Sequence, residues 1–200
     1  MFKKKIDTQE KIDGLIANRW SGRAFDSKRP VEHEHIISLL EAARWAPSCF
    51  GDEPWRYVIY DKIRNETAWN KALACLSEGN QSWAVNAPVL ILASANAIFS
   101  HNDSPNRWAQ YDTGAASMSL CIQATSLGLM VHQMGGFSVE NAANSFAIPE
   151  QYTPMAMIAV GYQLAEDEIT GEMMDRESSE RHRNPLTEQF FDGEWHKPFR

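Results

Sequence analysis

The chain has 200 residues, 44% of them hydrophobic and 22% charged, with a formal net charge of -7 at neutral pH. That length fits a single domain over residues 1–200 with a substantial core of its own. The acidic balance, with a pI near 5.4, argues against nucleic acid as a partner, and no stretch is long and apolar enough to imply a membrane partner.

The start, Met1-Phe2-Lys3-Lys4-Lys5-Ile6, is basic, but Asp7-Thr8-Gln9-Glu10 interrupts it before any apolar run, unlike a secretory leader. Thr8 is placed to cap a first helix carrying Ile12, Leu15 and Ile16 at helical spacing and ending near Asn18. A second helix follows Pro30, with Ile36, Ile37, Leu40 and Ala43 on one side, and Pro47 stops it. Pro54 sets off a strand, Trp55–Tyr60. Residues 61–76 read as a helix with Gly79-Asn80 as terminator. Residues 88–93 are continuously apolar, the pattern of a strand covered on both faces. From Arg107 to Leu129 the chain is small or apolar almost all round, which requires burial on every side. Either a subunit interface or a central core helix meets that requirement. Gly128 closes this helix, a short strand Leu129–His132 follows, and Gly135-Gly136 turns the chain. Met155–Tyr162 is another apolar strand. Residues 165–183 are highly charged and read as a surface excursion, after which Phe190, Phe191, Trp195 and Phe199 suggest a docking arm. The alternation of strands and helices implies a layered arrangement with helices on both faces of a sheet.

Few residues carry recognisable chemistry. Arg19 and Arg23 bracket Ser21, so two guanidinium groups and a hydroxyl can converge on one anion; a plain pair of surface arginines is the alternative. Arg181 and Arg183 repeat the pattern, either for the same anion or to offset nearby acids. The loop from Pro47 to Trp55 is bracketed by prolines and suits a ligand wall or a tight connection. Gly135-Gly136 lets backbone N–H groups approach a planar ligand, but neither a G-x-G-x-x-G nor a phosphate-loop motif is present. Glu32-His33-Glu34-His35 points in different directions on a helix and reads as a solvated first turn rather than a metal site. Cys49, Cys75 and Cys121 are odd in number and without a Cys-x-x-Cys pair, which points to reduced thiols and a soluble, cytoplasmic protein.

Taken together, these segments resemble the FMN-dependent nitroreductase family. Arg19-x-Ser21-x-Arg23-x-Phe25 resembles its N-terminal signature, and Ala46-Pro47-Ser48 leading to Pro54-Trp55 resembles its flavin loop. Asp112-x-Gly114-Ala115-Ala116, Leu127-Gly128-Leu129, Gly135-Gly136-Phe137, Ile158–Tyr162 and Arg183-x-Pro185-Leu186 follow in the family's order. The resemblance implies an α+β fold of α/β/α layers, with a mostly antiparallel sheet flanked by helices. It also implies an intertwined homodimer with a C-terminal arm and FMN sites at the subunit interface. Arg19, Trp20, Ser21 and Arg23 would bind FMN around its phosphate and pyrimidine edge, and Arg181 and Arg183 would hold the phosphate. Pro47, Ser48, Cys49 and Gly51 would reach the flavin from the other subunit, while Gln133, Gly135 and Gly136 would line its ring. The implied activity moves hydride from NADH or NADPH to a small acceptor such as a nitroaromatic or quinone, in ping-pong order, with no side-chain catalyst. Alternatives are reductive dehalogenation or flavin–oxygen chemistry on the same fold, or a non-catalytic flavin sensor. The other chemistries usually bring an added lid, and its place here, Ala97–Pro105, is short. Gly51 and Glu53 stand where the family usually has amides, and Glu53 is expected to turn away from the flavin or be paired.

Overall fold

The computed structural model describes residues 4–199; Met1–Lys3 and Arg200, and with them the first part of the basic start, lie outside the described residues. Helix α1 spans Gly14–Asn18, ending where the sequence indicates but starting later. Its cap is Asp13, whose carboxylate accepts the Leu15 N–H at 2.7 Å, rather than Thr8. Ile12, Leu15 and Ile16 remain exposed, so no packing rewards a longer helix within one protomer. Helix α2 (His33–Arg44) buries Ile36, Leu39 and Ala43, and ends before Pro47 as expected, with Ile37 left exposed. A 3-10 turn at Cys49–Gly51 then leads into strand β1 (Trp55–Asp61).

Helix α3 (Glu66–Ala74) begins five residues later than its sequence pattern, because β1 runs to Asp61 and the Asn65 side chain caps the helix by accepting the Ala68 N–H. The larger departure is Gly79-Asn80. These residues do not terminate a helix; they lie inside helix α4 (Glu78–Ala84). Trp83 and Ala84 are fully buried against the sheet, and that burial outweighs the roughly 1 kcal/mol cost of a helical glycine.

Strand β2 (Val89–Asn96) is buried along its whole length, as its unbroken apolar run requires. Helix α5 (Ala109–Ser126) is followed by Gly128 in the left-handed region, with φ of 72°, and then by strand β3 (Met130–Met134). Helix α6 (Val139–Ser145) and strand β4 (Tyr152–Gly161) complete the sheet layer. The four strands form one antiparallel sheet in the order β1-β2-β4-β3. Pro154 is tolerated inside β4 because the pairing slips opposite Ala93 and Ser94, a bulge that relieves the ladder of its missing N–H.

Side chains alternate along β2 and split the core in two. Leu90 and Leu92 join Trp69 and Ala72 of α3, Cys75 just after it, Trp83 of α4 and Ala142 of α6. Ile91 and Ala93 join Leu39 and Ala43 of α2 and Leu120 and Ala124 of α5. The result is the α/β/α layering expected of the α+β class.

Past β4 the chain makes a 3-10 turn at Glu166–Glu168, then helices α7 (Gly171–Ser178) and α8 (Leu186–Gln189). This charged stretch is not wholly a surface excursion, since Ile169 and Glu177 are buried. Phe190, Trp195 and Phe199 are exposed, and Phe191 pairs with Pro198 in a small turn-back. Among the described residues no helix is long and apolar enough to cross a membrane.

Candidate functional site

Both ends of the chain meet over the segment between α1 and Phe25. There, a cleft of about 550 Å³ is lined by Arg19, Trp20, Ser21 and Arg23, by Arg181 and Arg183, and by Lys4, His132 and the α7 residues Asp175, Arg176 and Glu177. Arg19 extends toward Ser21, with Nη1 at 3.4 Å from Oγ, and Arg23 lies over the Trp83 ring at 5.7 Å. Two arginine pairs some 160 residues apart in sequence thus face one space, as an anion site requires.

Arg181 has a second task. Its guanidinium donates to the carbonyls of Ala17 at 2.8 Å and Arg19 at 3.0 Å, and to that of Lys4. It therefore satisfies carbonyls that α1 leaves open at its C-terminus and ties down the N-terminal segment. Its Nε is buried without a partner among the described residues. Burial, and then the Arg19 and Arg183 charges, press its pKa below the ordinary guanidinium value. Arg183 bonds the His182 carbonyl through Nη1 at 2.7 Å.

Lys4, Glu177 and His132 are among the lining residues that were not legible in the sequence as site residues. Lys4 lies over the Trp20 ring at 4.3 Å and donates to the Ser179 carbonyl at 2.7 Å. Glu177, only 1% exposed, accepts the Arg23 N–H at 2.8 Å, while its Oε2 has no partner among the described residues. Burial pushes the Glu177 carboxyl above its ordinary pKa, against the pull of the Arg23 and Ala24 N–H groups and the Lys4 and Arg23 charges. His132 reaches the cleft from β3, with its Nδ1 3.0 Å from the Gly22 carbonyl oxygen. Only the polar His132-Gln133 pair within an otherwise apolar strand hinted at that position. A Cβ at Gly22 would meet Met130 Sδ, the Trp20 ring at 2.9 Å and Glu177 Oε2 at 3.0 Å, so this segment packs closely enough to require glycine.

The other expected site residues lie apart from this cleft in their own protomer. Gln133 donates to Cys121 Sγ at 3.3 Å, and burial pushes the Cys121 thiol pKa up. Gly135 borders open space, whereas a Cβ at Gly136 would come within 2.7 Å of Asn80 Nδ2 and 3.0 Å of Ser77 Oγ. The need for glycine at 136 is therefore set by α4. Pro47, Ser48, Cys49 and Gly51 form a separate wall beside α5, where the buried Asp112 carboxylate accepts the Cys49 N–H at 2.9 Å. Phe50, Gly51 and Glu53 in that wall all have positive φ, and the Glu53 side chain is exposed. The Glu32–His35 run is not simply solvated: Tyr162 donates to Glu32 at 2.6 Å and His35 Nδ1 is 3.0 Å from the same carboxylate. Among the described residues no three His, Cys, Asp or Glu side chains converge as a metal site.

Residues 16–162, from the middle of α1 to the residue after β4, match the model of the nitroreductase family. The chain belongs to the nitroreductase family. A relative from Methanothermobacter thermautotrophicus, provisionally named NADH dehydrogenase/NAD(P)H nitroreductase, is 30% identical over 171 residues, covering 82% of this chain and 84% of its own. A crystal structure of an oxidoreductase containing FMN is 33% identical, with a TM-score of 0.86 and 96% of both chains covered. A protein provisionally named a nitroreductase, in complex with FMN, from Desulfovibrio desulfuricans shares the fold at a TM-score of 0.70 and 22% identity, covering 90% of this chain and 95% of that one. The family match includes Arg19 and Arg23, and Arg181 and Arg183, beyond its end, line the same cleft.

Proposed function

We propose that this nitroreductase-family chain is an FMN-dependent oxidoreductase. In this reading it passes hydride or electrons from NADH or NADPH to a small electron-poor acceptor, a nitroaromatic or a quinone, in ping-pong order. The observation that carries the reading is the cationic cleft between Arg19, Arg23, Arg181 and Arg183. Its donor set fits FMN. Guanidinium groups and the Ser21 hydroxyl suit a phosphate and the electron-rich pyrimidine edge, and the Arg181 Nε is still without a partner among the described residues. FMN, when bound, supplies the hydride chemistry, as in other flavoenzymes. The chain's part is to bind, orient and set the local field: positive groups near the pyrimidine edge favour the charge that develops there on reduction.

The same reading includes a homodimer with its sites at the subunit interface. The exposed apolar residues of α1 and α5 would meet a partner, and the Pro47–Gly51 wall of one protomer would face the cleft of the other. Gln133, Gly135 and Gly136 would then border the flavin ring. The Ala97–Pro105 segment is a compact turn-back, bridged between Ile98 and Pro105 and held by Asp52, which accepts the Ser100 N–H at 2.8 Å. That compactness favours a simple reductase over a lidded dehalogenase.

The test is direct. Purified protein should carry flavin absorption that bleaches when NADH or NADPH is added without oxygen and returns with a quinone. Arg19→Ala should weaken FMN binding by about 1.5–3 kcal/mol, roughly ten- to hundredfold, the range for lost hydrogen bonds to a charged group. A colourless protein that also fails to take up added FMN would refute the reading.

A further inference from the structure

His132 stands on β3 opposite Ala159 of β4 and lines the cationic cleft. Its ring packs on Trp83 of α4, with centroids 4.6 Å apart, and its Nδ1 lies 3.0 Å from the Gly22 carbonyl oxygen. A carbonyl only accepts, so Nδ1 carries its hydrogen whether the ring is neutral or charged. The tautomer is thereby set. Nε2 of the neutral ring is a bare acceptor, and among the described residues nothing donates to it. Protonation would turn Nε2 into a donor and add a positive charge without disturbing the Gly22 bond.

We propose that His132 is a proton-linked anchor for the FMN phosphate, taking up one proton from solvent as the cofactor enters the cleft. The inference rests on the reading of the cleft as an FMN site. The charges around the ring explain why the proton arrives with the ligand. Arg19 and Arg23 face it from the Gly22 segment, and Lys4, Arg181 and Arg183 from the two ends of the chain. Opposite them stand Asp175 and Glu177 of α7 and Glu180 just beyond it, with Arg176 between. Burial, then the Arg23 and Arg19 charges, hold His132 below the usual imidazole range, although its bond to Gly22 pulls the other way. Burial raises the Glu177 pKa above its ordinary value, against the pull of the Arg23 and Ala24 N–H groups and the Lys4 and Arg23 charges. A phosphate among these cations cancels their field and makes the imidazolium favourable. The phosphate cannot be the source of such uptake. Its own second ionisation, near pH 6, releases a proton when cations bind it.

The experiment is a pH titration of the imidazole nitrogens by NMR in the ¹⁵N-histidine-labelled wild-type protein, alone, with FMN, and with riboflavin, which lacks the phosphate. His132→Asn, which keeps a donor for Gly22 but loses the outer ring nitrogen, assigns the His132 signal. His132→Phe, which keeps the ring on Trp83, serves if that variant does not fold. The expected result is a His132 midpoint raised by about one pH unit with FMN and unmoved by riboflavin. FMN affinity of the wild type over His132→Asn should then rise toward about tenfold as the pH falls below the free-state midpoint and approach unity by about pH 8.5. A merely structural role would weaken binding equally at every pH. FMN binding with an unmoved His132, or the same movement with riboflavin, would overturn this inference alone. Absence of FMN binding to the wild type would overturn the reading of the cleft and this inference with it.

Discussion

Glu177 accepts the Arg23 N–H across a sequence separation of 154 residues, and it does so from a buried position among cations. Its removal should expose two separable effects. Glu177→Ala leaves the Arg23 N–H unsatisfied and is expected to cost about 1–3 kcal/mol of stability. Glu177→Gln keeps an acceptor but cannot ionise. Because burial raises the folded-state pKa above the ordinary 4.5, the native state holds this proton where the unfolded state has lost it. Wild-type stability from this group is therefore full below about 4.5 and declines as the pH rises through the folded value. Glu177→Gln should lack that decline. Thermal melts of the two proteins between pH 4 and 7 check it; parallel curves would show that Glu177 does not titrate in this range. Removing the negative charge from the cleft should also tighten anion binding in Glu177→Gln, read by FMN titration.

At the level of elements, α4 and the turn after β3 are one unit. The Gly136 carbonyl accepts two bonds, from the Ser77 N–H at 2.9 Å and the Asn80 Nδ2 at 3.0 Å, and the position leaves no room for a Cβ on that side. Gly136→Ala should therefore be destabilising by about 1–3 kcal/mol, the usual range for overpacking, with Gly135→Ala close to neutral because that position borders open space. Chemical denaturation of both variants decides the matter, and an equal loss in the two would place the constraint on the turn itself. The opposite wall is held differently. Asp52 is pushed up by burial but bonded by Ser100 and Asn106, and the bonds prevail, holding its carboxyl below the usual carboxylate range. The contribution is present above the ordinary value of 3.8 and lost as the pH falls through the folded one. The loop at 97–105 should thus stay latched at neutral pH.

At the level of the whole molecule, α5 is incompletely covered in one protomer. Tyr111 is 78% exposed and Met118 39%, one heptad apart on the same face, with Gly114 exposed between them. A helix that is apolar on all sides yet bare along one stripe suits the proposed subunit interface. Combined Tyr111→Glu and Met118→Glu substitutions place two charges on that stripe and should convert a dimer to a monomer in light scattering, with loss of retained FMN. A wild-type protein that is monomeric at micromolar concentration would remove the dimer from the proposed function.

What the sequence by itself determined lies close along the chain. The unbroken apolar runs of β2 and β4, the proline before β1, Gly128 after α5 and the ordered family blocks depend on neighbours within a turn or a strand, so their periodicity and turn chemistry were readable. Only the tertiary structure decided where distant polar groups meet. Arg181 binding the Ala17 carbonyl across 164 residues, Glu177 under Arg23 and His132 behind Gly22 leave no local pattern. Gly79 lies within a helix because Trp83 is buried against the sheet, a gain of packing that outweighs local propensity. The arginine pairs could be read as cations from the sequence, but their convergence on one cleft is a property of the fold, since chain ends are brought together by the core between them.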